Sequence, residues 1–147
     1  MLIGEYSHNL DDKGRLSIPK KFRPDLSEGA VVTKGLDNCL FVYTKDEWKK
    51  FTEKLSALSF AQSFAQSNSR AFFRFMLAGA MDVSLDKQGR IILPDYLRKF
   101  AKLNKSVVIA GLYNRLELWD EKAWSQYKNK AEEESNEIAE KMADLGV

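Results

Sequence analysis

Asp11-Asp12-Lys13-Gly14-Arg15-Leu16-Ser17-Ile18-Pro19 recurs about 75 residues later as Asp86-Lys87-Gln88-Gly89-Arg90-Ile91-Ile92-Leu93-Pro94. The same Asp, Gly, Arg and Pro positions are occupied in both stretches. The pair Phe22-Arg23 that follows the first stretch corresponds to Leu97-Arg98 after the second. A repeat of this kind indicates that one supersecondary unit has been duplicated.

The correspondence extends through most of both halves after a shift of one residue. The further matching segments are 31–38 with 107–114, 40–43 with 116–119, and Trp48 with Trp124. We therefore predict one compact domain built from two repeats. Its predicted parts are a first repeat at 1–58, a linking helix at 59–77, a second repeat at 78–125 and an acidic C-terminal helix or tail at 126–147.

Each copy is predicted to contain a strand, a tight turn, a second strand, a short helix, a hairpin and a longer helix. Glycine in the turn supplies the positive φ that a tight reversal needs, and Pro19 and Pro94 favour the start of the short helices. The predicted strands of the first copy are 1–7, 15–18, 30–34 and 40–43, and its predicted helices are 19–26 and 45–58. The second copy repeats this order, with its turn at 86–89, a hairpin around 111–114 and a terminal helix from Asp120.

The segment between the copies contains neither Pro nor Gly, so we predict a helix with Phe60, Phe64 and Phe72 near one face. The sequence leaves open whether these aromatic side chains fill the core or form a subunit contact. The terminal helix is expected to pack as far as about Ala131 and to be solvated beyond it.

Composition favours an ordinary folded protein, with 44% hydrophobic and 30% charged residues. No apolar run reaches the ~18 residues of a transmembrane helix. The single cysteine, Cys39, excludes an intramolecular disulfide, and the N-terminus has no basic, apolar leader; these features predict a cytoplasmic protein.

Residues 120–147 carry four Lys and eight acidic residues, whereas the rest of the chain carries nineteen Lys and Arg and thirteen acidic residues. A basic body with an acidic tail suits a polyanionic partner.

The Asp-x-x-Gly-Arg turn suggests what that partner is. Its Asp can accept hydrogen bonds from N–H groups farther along the turn and can pair with the Arg four residues later. An Arg held in this way presents a planar fork that suits phosphate or the O6/N7 edge of guanine. One such pair is more often a structural turn, but a duplicated cationic tip suits a repetitive partner such as a nucleic-acid backbone.

We predict that both arginines are exposed and contact DNA. The predicted DNA-binding residues are Arg15, Arg90, Lys13, Lys87, Lys20 and Lys21, with Arg23 and Arg98 as neighbouring cations. The residues predicted to support the two loops are Asp11, Gly14, Asp86 and Gly89. The intervening residues differ, Asp12-Lys13 against Lys87-Gln88, so the two loops are not expected to contact DNA equivalently.

These motifs closely resemble the MraZ family of bacterial transcriptional regulators, which are built from two SpoVT/AbrB-like repeats, each marked by Asp-x-x-x-Arg. Here that motif runs from Asp11 to Arg15 and from Asp86 to Arg90. The start of the chain and the Gly-Arg-Ile-Ile-Leu-Pro segment also look like this family. The resemblance covers essentially the whole chain.

The resemblance implies an α+β fold in which two pseudo-symmetric AbrB-like repeats, each a strand-turn-strand unit with a helix, complete one double-split β-barrel with peripheral helices. It also implies a cytoplasmic, nucleoid-associated protein that assembles into a homo-oligomeric ring. Its partner would be double-stranded DNA, at short direct repeats in the promoter region of the division and cell-wall gene cluster. A DNA-contact role is carried over to Arg15 and Arg90, with their Asp partners as supports.

Other classes of function fit the residues less well. His8 has no counterpart in the second copy, Cys39 corresponds to Arg115, and Asp11-Asp12 are adjacent residues whose side chains point apart. The sequence also lacks a Gly-rich phosphate loop, metal-ligand spacing and a nucleophile elbow. We therefore predict no enzyme activity, cofactor, metal, membrane partner or small-molecule substrate.

Charge alone does not separate RNA from DNA, but no aromatic pattern of an RNA-recognition motif is present. An AbrB-type antitoxin-like or protein-interaction module remains the alternative.

Overall fold

The computed structural model describes residues 1–58 and 67–147. Its strands are β1 (Leu2–Asn9), β2 (Arg15–Ser17), β3 (Ala30–Lys34), β4 (Leu40–Thr44), β5 (Met81–Val83), β6 (Arg90–Ile92), β7 (Ser106–Tyr113) and β8 (Leu116–Asp120). Its α-helices are α1 (Lys45–Leu58), α2 (Ser67–Ala78), α3 (Asp95–Phe100), α4 (Glu121–Glu133) and α5 (Ser135–Ala143). The fold is mixed, with antiparallel strands and several helices, as the sequence predicts.

The two copies exchange strands with each other. The six-stranded sheet has the order β1-β7-β8-β4-β3-β5, and every pairing in it is antiparallel. The first strand of each copy therefore lies against the hairpin of the other copy, β1 on β7 and β5 on β3. At the centre, β4 pairs with β8, with Phe41 opposite Glu117. Because β1 and β5 are the two edge strands of this sheet, the described strands do not close it into a barrel.

The second strands form a separate two-stranded ribbon. In it β2 pairs with β6, Arg15 lies opposite Ile92, Leu16 opposite Ile91 and Ser17 opposite Arg90. Among the described residues, a single isolated bridge joins Leu10, which directly follows β1, to Leu16 of β2. The predicted order of strand, turn and strand is present in each copy, and the structure adds that each of these strands takes its main partner from the other copy.

The core lies on both faces of the six-stranded sheet. On one face, the ribbon and the short helices insert fully buried side chains such as Leu16, Ile91, Phe22 and Leu97 against the sheet. On the other face, α1, α2 and α4 cover a second cluster that includes Tyr43, Met76 and Trp119. Burying one large apolar side chain contributes about 1.5–3 kcal/mol. Burial of Leu16 and Ile91 therefore fixes which face of the ribbon is turned away from solvent.

The helix predicted after Pro19 is two 3-10 turns instead, Lys20–Phe22 and Pro24–Leu26. Proline has no backbone N–H, so Pro24 cannot make the bond to the carbonyl of Lys20 that an α-helix would require. In the second copy Lys99 occupies the corresponding place. There Arg98 N donates to Pro94 O and α3 forms as an α-helix, as predicted.

The peripheral helices agree with the prediction where they are described. The predicted linking helix is present as α2 from Ser67 onward, and its first part, with Phe60 and Phe64, lies outside the described residues. The terminal helix breaks at Glu134, and α5 beyond the break buries no residue. In the described ranges, none of the helices combines the length and the apolar character that crossing a membrane would require.

Candidate nucleic-acid interface

The first turn is organised around the carboxylate of Asp11. One of its oxygens, Oδ1, accepts the backbone N–H groups of Lys13 at 3.0 Å and Arg15 at 2.8 Å. The other, Oδ2, accepts the side-chain Nε–H of Arg15 at 2.6 Å. The backbone closes the same loop, with Gly14 N donating to Asp11 O at 3.0 Å. One side chain therefore sets both the path of the turn and the direction in which Arg15 leaves it.

The second turn has the same geometry. Asp86 Oδ1 accepts Gln88 N at 2.9 Å and Arg90 N at 2.9 Å, and Oδ2 accepts Arg90 Nε at 2.8 Å. Gly89 N donates to Asp86 O at 3.0 Å. The residues between Asp and Gly differ between the turns, yet the hydrogen-bond pattern does not, because the bonds use backbone N–H groups that any non-proline residue supplies.

These hydrogen bonds also lower the pKa of both carboxyl groups. The main cause for Asp11 is the backbone N–H of Arg15, followed among the lowering causes by the Arg15 side chain. The backbone N–H of Arg90 plays the same role for Asp86. A lowered pKa means that the charged form is favoured, so each carboxylate stays ionised and paired at neutral pH.

The arginines are held rather than freely exposed. The sequence predicts that both arginines are exposed; the structure shows them partly exposed, at 32% for the Arg15 side chain and 27% for that of Arg90. The cause is the bond from Nε to the Asp carboxylate, which folds the guanidinium back over its own turn. Within 1–58 and 67–147, no acceptor is bonded to the terminal nitrogens Nη1 and Nη2 of either group. That end of each planar fork can still meet an external acceptor pair.

Each turn is also locked against the other copy. Leu93 N donates to Gly14 O at 2.8 Å, and Ile18 N donates to Gly89 O at 2.9 Å. Arg23 and Arg98 complete this lock, because their Nε–H groups donate to Ile18 O at 2.8 Å and to Leu93 O at 3.0 Å. The two turns and the ribbon thus form one continuous structure.

Sequence reasoning treated Arg23 and Arg98 as further cations for DNA, whereas the structure places them in this lock. Both residues occupy matching positions in the two copies, after Pro and directly after an apolar residue. This match was the signal in the sequence for a shared structural role. The missing information was the exchange of strands, which brings each of them to the glycine of the opposite turn.

The ribbon presents its two arginines on one face. Residues opposite each other in an antiparallel pair share a face, and so do residues two apart on one strand. Arg15, Ser17, Arg90 and Ile92 therefore lie on the outward face, and Leu16 and Ile91 on the core face. Arg15 and Arg90 are diagonal neighbours, and such Cα atoms are about 7–8 Å apart. The exchange of strands has brought two cations that lie far apart in the chain to the same short ribbon.

The four predicted lysines lie around this face with different surroundings. Lys13 and Lys87 are exposed in the turns themselves, and Lys20 is exposed in the first 3-10 turn. Lys21 differs, because its Nζ donates to Ile3 O at 3.2 Å and lies 5.9 Å from the Phe22 ring centroid. It is therefore turned toward β1.

Cys39, which the sequence analysis considered as a nucleophile, lies in the turn between β3 and β4. Cys39 is buried, its Sγ donates to Leu36 O at 3.1 Å, and burial raises the pKa of the thiol. A thiol with a raised pKa is a poor nucleophile at neutral pH. Among the residues that the structure describes, no group of His, Cys, Asp and Glu has the arrangement of a metal site.

The fold and this surface define a duplicated, strand-exchanged α/β protein whose two copies jointly build one ribbon with a pair of held arginines. The family model described as "MraZ protein, putative antitoxin-like" matches residues 1–71 and again 76–146. The chain belongs to the MraZ family. The two matches also confirm the duplication that the sequence indicates.

Curated relatives agree with this assignment over the full length. The chain is 50% identical over 147 residues to "Transcriptional regulator MraZ" of Halothermothrix orenii, covering 100% of both chains. It is 50% identical over 145 residues to the protein of the same name from Carboxydothermus hydrogenoformans, covering 99% of each. It is 46% identical over 147 residues to that of Caldanaerobacter subterraneus subsp. tengcongensis, covering 100% of both.

Proposed function

We propose that this chain is a DNA-binding transcriptional regulator that contacts double-stranded DNA with the outward face of the β2–β6 ribbon. The observation that carries the proposal is the placement of Arg15 and Arg90, from two separate repeats, on one face of one two-stranded ribbon. The names of the curated relatives support the regulatory role. No part of the proposal requires catalysis or a cofactor.

The size of the ribbon suits the major groove. Paired strands are about 4.7–4.9 Å apart, and the major groove of B-DNA, about 12 Å wide, admits a two-stranded ribbon. In that position the terminal nitrogens of the two arginines reach either phosphate oxygens or the O6/N7 edge of guanine. Lys13, Lys87 and Lys20 extend the cationic surface from the turns and the first 3-10 turn to the flanking backbone. Lys21 contributes if it leaves its contact with Ile3.

The finer parts of the proposal come from the family resemblance. They are a double-split arrangement of the two repeats, a nucleoid-associated protein in the cytoplasm, and an operator of short direct repeats upstream of the division and cell-wall gene cluster. Exchange of β1 and β5 between the repeats supports the first of these. The domain limits 1–58, 59–77, 78–125 and 126–147 belong to the same proposal.

The salt dependence of binding tests whether cations lead the interface. Six predicted contacts give a slope of roughly −5 in a plot of log Kobs against log salt for each bound chain, because each neutralised phosphate contributes about −0.9. Lys13→Ala and Lys87→Ala should each make this slope less negative by about 1, because each removes one phosphate contact. Titration of a labelled duplex at several salt concentrations measures the slope. The matched control is Lys141→Ala on the exposed α5 helix, and binding that does not respond to salt would contradict the proposal.

We also propose that several chains assemble and so array their ribbons. Exposed apolar side chains on the peripheral helices support this part, namely Phe72 at 39%, Ile138 at 43% and Met142 at 38%, and Leu145 in the turn after α5 is 73% exposed. Several ribbons that engage adjacent DNA repeats would gain about 10²–10⁴-fold in avidity when their spacing matches. Light scattering should therefore give a mass that is a multiple of 16.8 kDa. A mass of one chain across the concentration range used for DNA binding would overturn the assembly.

The antitoxin-like or protein-interaction alternative makes a different prediction. Under that alternative the ribbon serves a protein partner, and the chain enriches no sequence from random DNA. The description of the family as antitoxin-like makes this comparison worthwhile. DNA enrichment that depends on Arg15 and Arg90 supports the regulator instead.

A further inference from the structure

The outward face of the ribbon carries one large apolar side chain between its cations. Ile92 is 61% exposed, lies directly opposite Arg15 and is two residues from Arg90. It borders a shallow depression of about 350 Å³ that is lined by Met81, Asp82, Val83, Ser84, Ile92 and Pro94. Met81 in this depression is 39% exposed. A small apolar surface therefore lies beside the two held arginines.

The corresponding position in the first copy is different. Ser17 occupies the place of Ile92 in the duplicated motif and lies opposite Arg90. Tyr6 occupies the place of Met81, and its ring packs edge-on against Phe22 with centroids 5.4 Å apart. The ribbon is thus symmetric in its arginines but polar at one end and apolar at the other.

DNA offers few partners for such a side chain. Among the base-pair edges in the major groove, the one apolar group is the C5-methyl of thymine, and the other features are hydrogen-bond donors and acceptors. We infer that Ile92, with Met81 beside it, is a specificity-determining residue that contacts a thymine methyl group. This inference rests on the proposed function and makes the two ends of the ribbon unequal. The end at Ile92 selects thymine through its methyl group, and the end at Ser17 does not.

The inference is tested by removing the methyl group alone. The probe is the shortest duplex that the wild-type chain selects from random sequence, with each thymine replaced singly by deoxyuridine. For each bound ribbon, we expect one thymine position at which replacement by deoxyuridine weakens binding to the wild-type chain. The expected loss is about four-fold in Kd, because one methyl group is no longer buried. Ile92→Ala should bind the thymine and uracil forms of that position equally, because the contact is then lost in both.

Matched variants identify the side chain responsible. Ser17→Ala should retain the four-fold difference, and so should Leu36→Ala, which truncates a similarly exposed leucine (56%) in the β3–β4 turn. Circular dichroism of Ile92→Ala should show an unchanged fold, since the side chain is mostly in solvent. A wild-type chain that tolerates uracil at every thymine, or a difference that persists in Ile92→Ala, would overturn the inference.

Three further outcomes show which part of the account has failed. If Ile92→Ala reduces the mass found by light scattering while the response to uracil is unchanged, the depression is a subunit contact and the inference is wrong. If Arg15→Ala and Arg90→Ala bind DNA like the wild-type chain, the proposed function fails and takes the inference with it. If those variants lose binding but uracil has no effect, the inference alone fails.

Discussion

Arg15→Ala should weaken binding of the selected duplex by about 10- to 150-fold, and Arg90→Ala should do the same. Hydrogen bonds to charged groups contribute about 1.5–3 kcal/mol, which gives this range of Kd. Each loss should leave the fold intact, because the side chain lies on the outward face and its one bonded nitrogen pairs with a carboxylate of its own turn. Titration of the duplex with each variant and with the double variant measures the effect.

Further substitutions show how the arginines act. Arg74→Ala is the matched control, since Arg74 is exposed on α2 and lies outside the ribbon. Arg15→Lys and Arg90→Lys keep the charge but lose the planar fork. Near-normal binding by the lysine variants indicates phosphate contacts, whereas a loss close to that of alanine indicates bidentate contact with guanine. Normal binding by both alanine variants would show that the site assignment is wrong.

Gly14→Ala should lower the free energy of unfolding by roughly 2–4 kcal/mol, from left-handed backbone strain and overpacking together. Gly14 has a φ of +81°, and a Cβ atom there would lie 2.7 Å from the backbone oxygen of Leu93. Gly89, with a φ of +75°, should behave similarly, because its Cβ would meet the guanidinium of Arg23. That guanidinium cannot move away without giving up its bond to Ile18 O. Urea unfolding followed by circular dichroism measures the change.

Gly146→Ala is a matched control for the effect of positive φ. Gly146 has a φ of +80°, but apart from its chain neighbours no heavy atom of the described residues lies within 4 Å of a Cβ built there, and it is next to Val147. We expect no measurable change in the free energy of unfolding for this variant. If Gly14→Ala unfolds at the same urea concentration as the wild-type chain, the turns are not locked across the two copies as the structure describes.

Local signals in the sequence predicted the local structure well. The turn residues, the hairpin strands around 30–34 and 40–43, and the helix at 45–58 all follow from short-range rules of turn chemistry and apolar alternation. The carboxylate of Asp11 holds Arg15 as expected, because the two residues are only four apart and the turn brings them together. The duplication was visible for the same reason, since it needs only a comparison of the chain with itself.

Those local signals do not determine which strands pair over long distances in the chain. Alternation determines which face of a strand is buried but not which strand lies beside it. Nothing in the three residues of β2 distinguishes β1 from β6 as a partner, so the exchange of strands could not be read from them. The contacts of Arg23 and Arg98 and the position of Ile92 opposite Arg15 depend on that exchange, so local patterns do not predict them. Pro24 was a local signal for the 3-10 turns that the prediction of a helix did not use.

The two held arginines are proposed to form one surface for DNA. Selection of bound duplexes from random sequence, with the wild-type chain and with the double variant Arg15→Ala, Arg90→Ala, tests it most directly. We predict that the wild-type chain enriches one short motif and that the folded double variant enriches none. Enrichment of the same motif by both proteins, or of none by the wild-type chain, would contradict the claim.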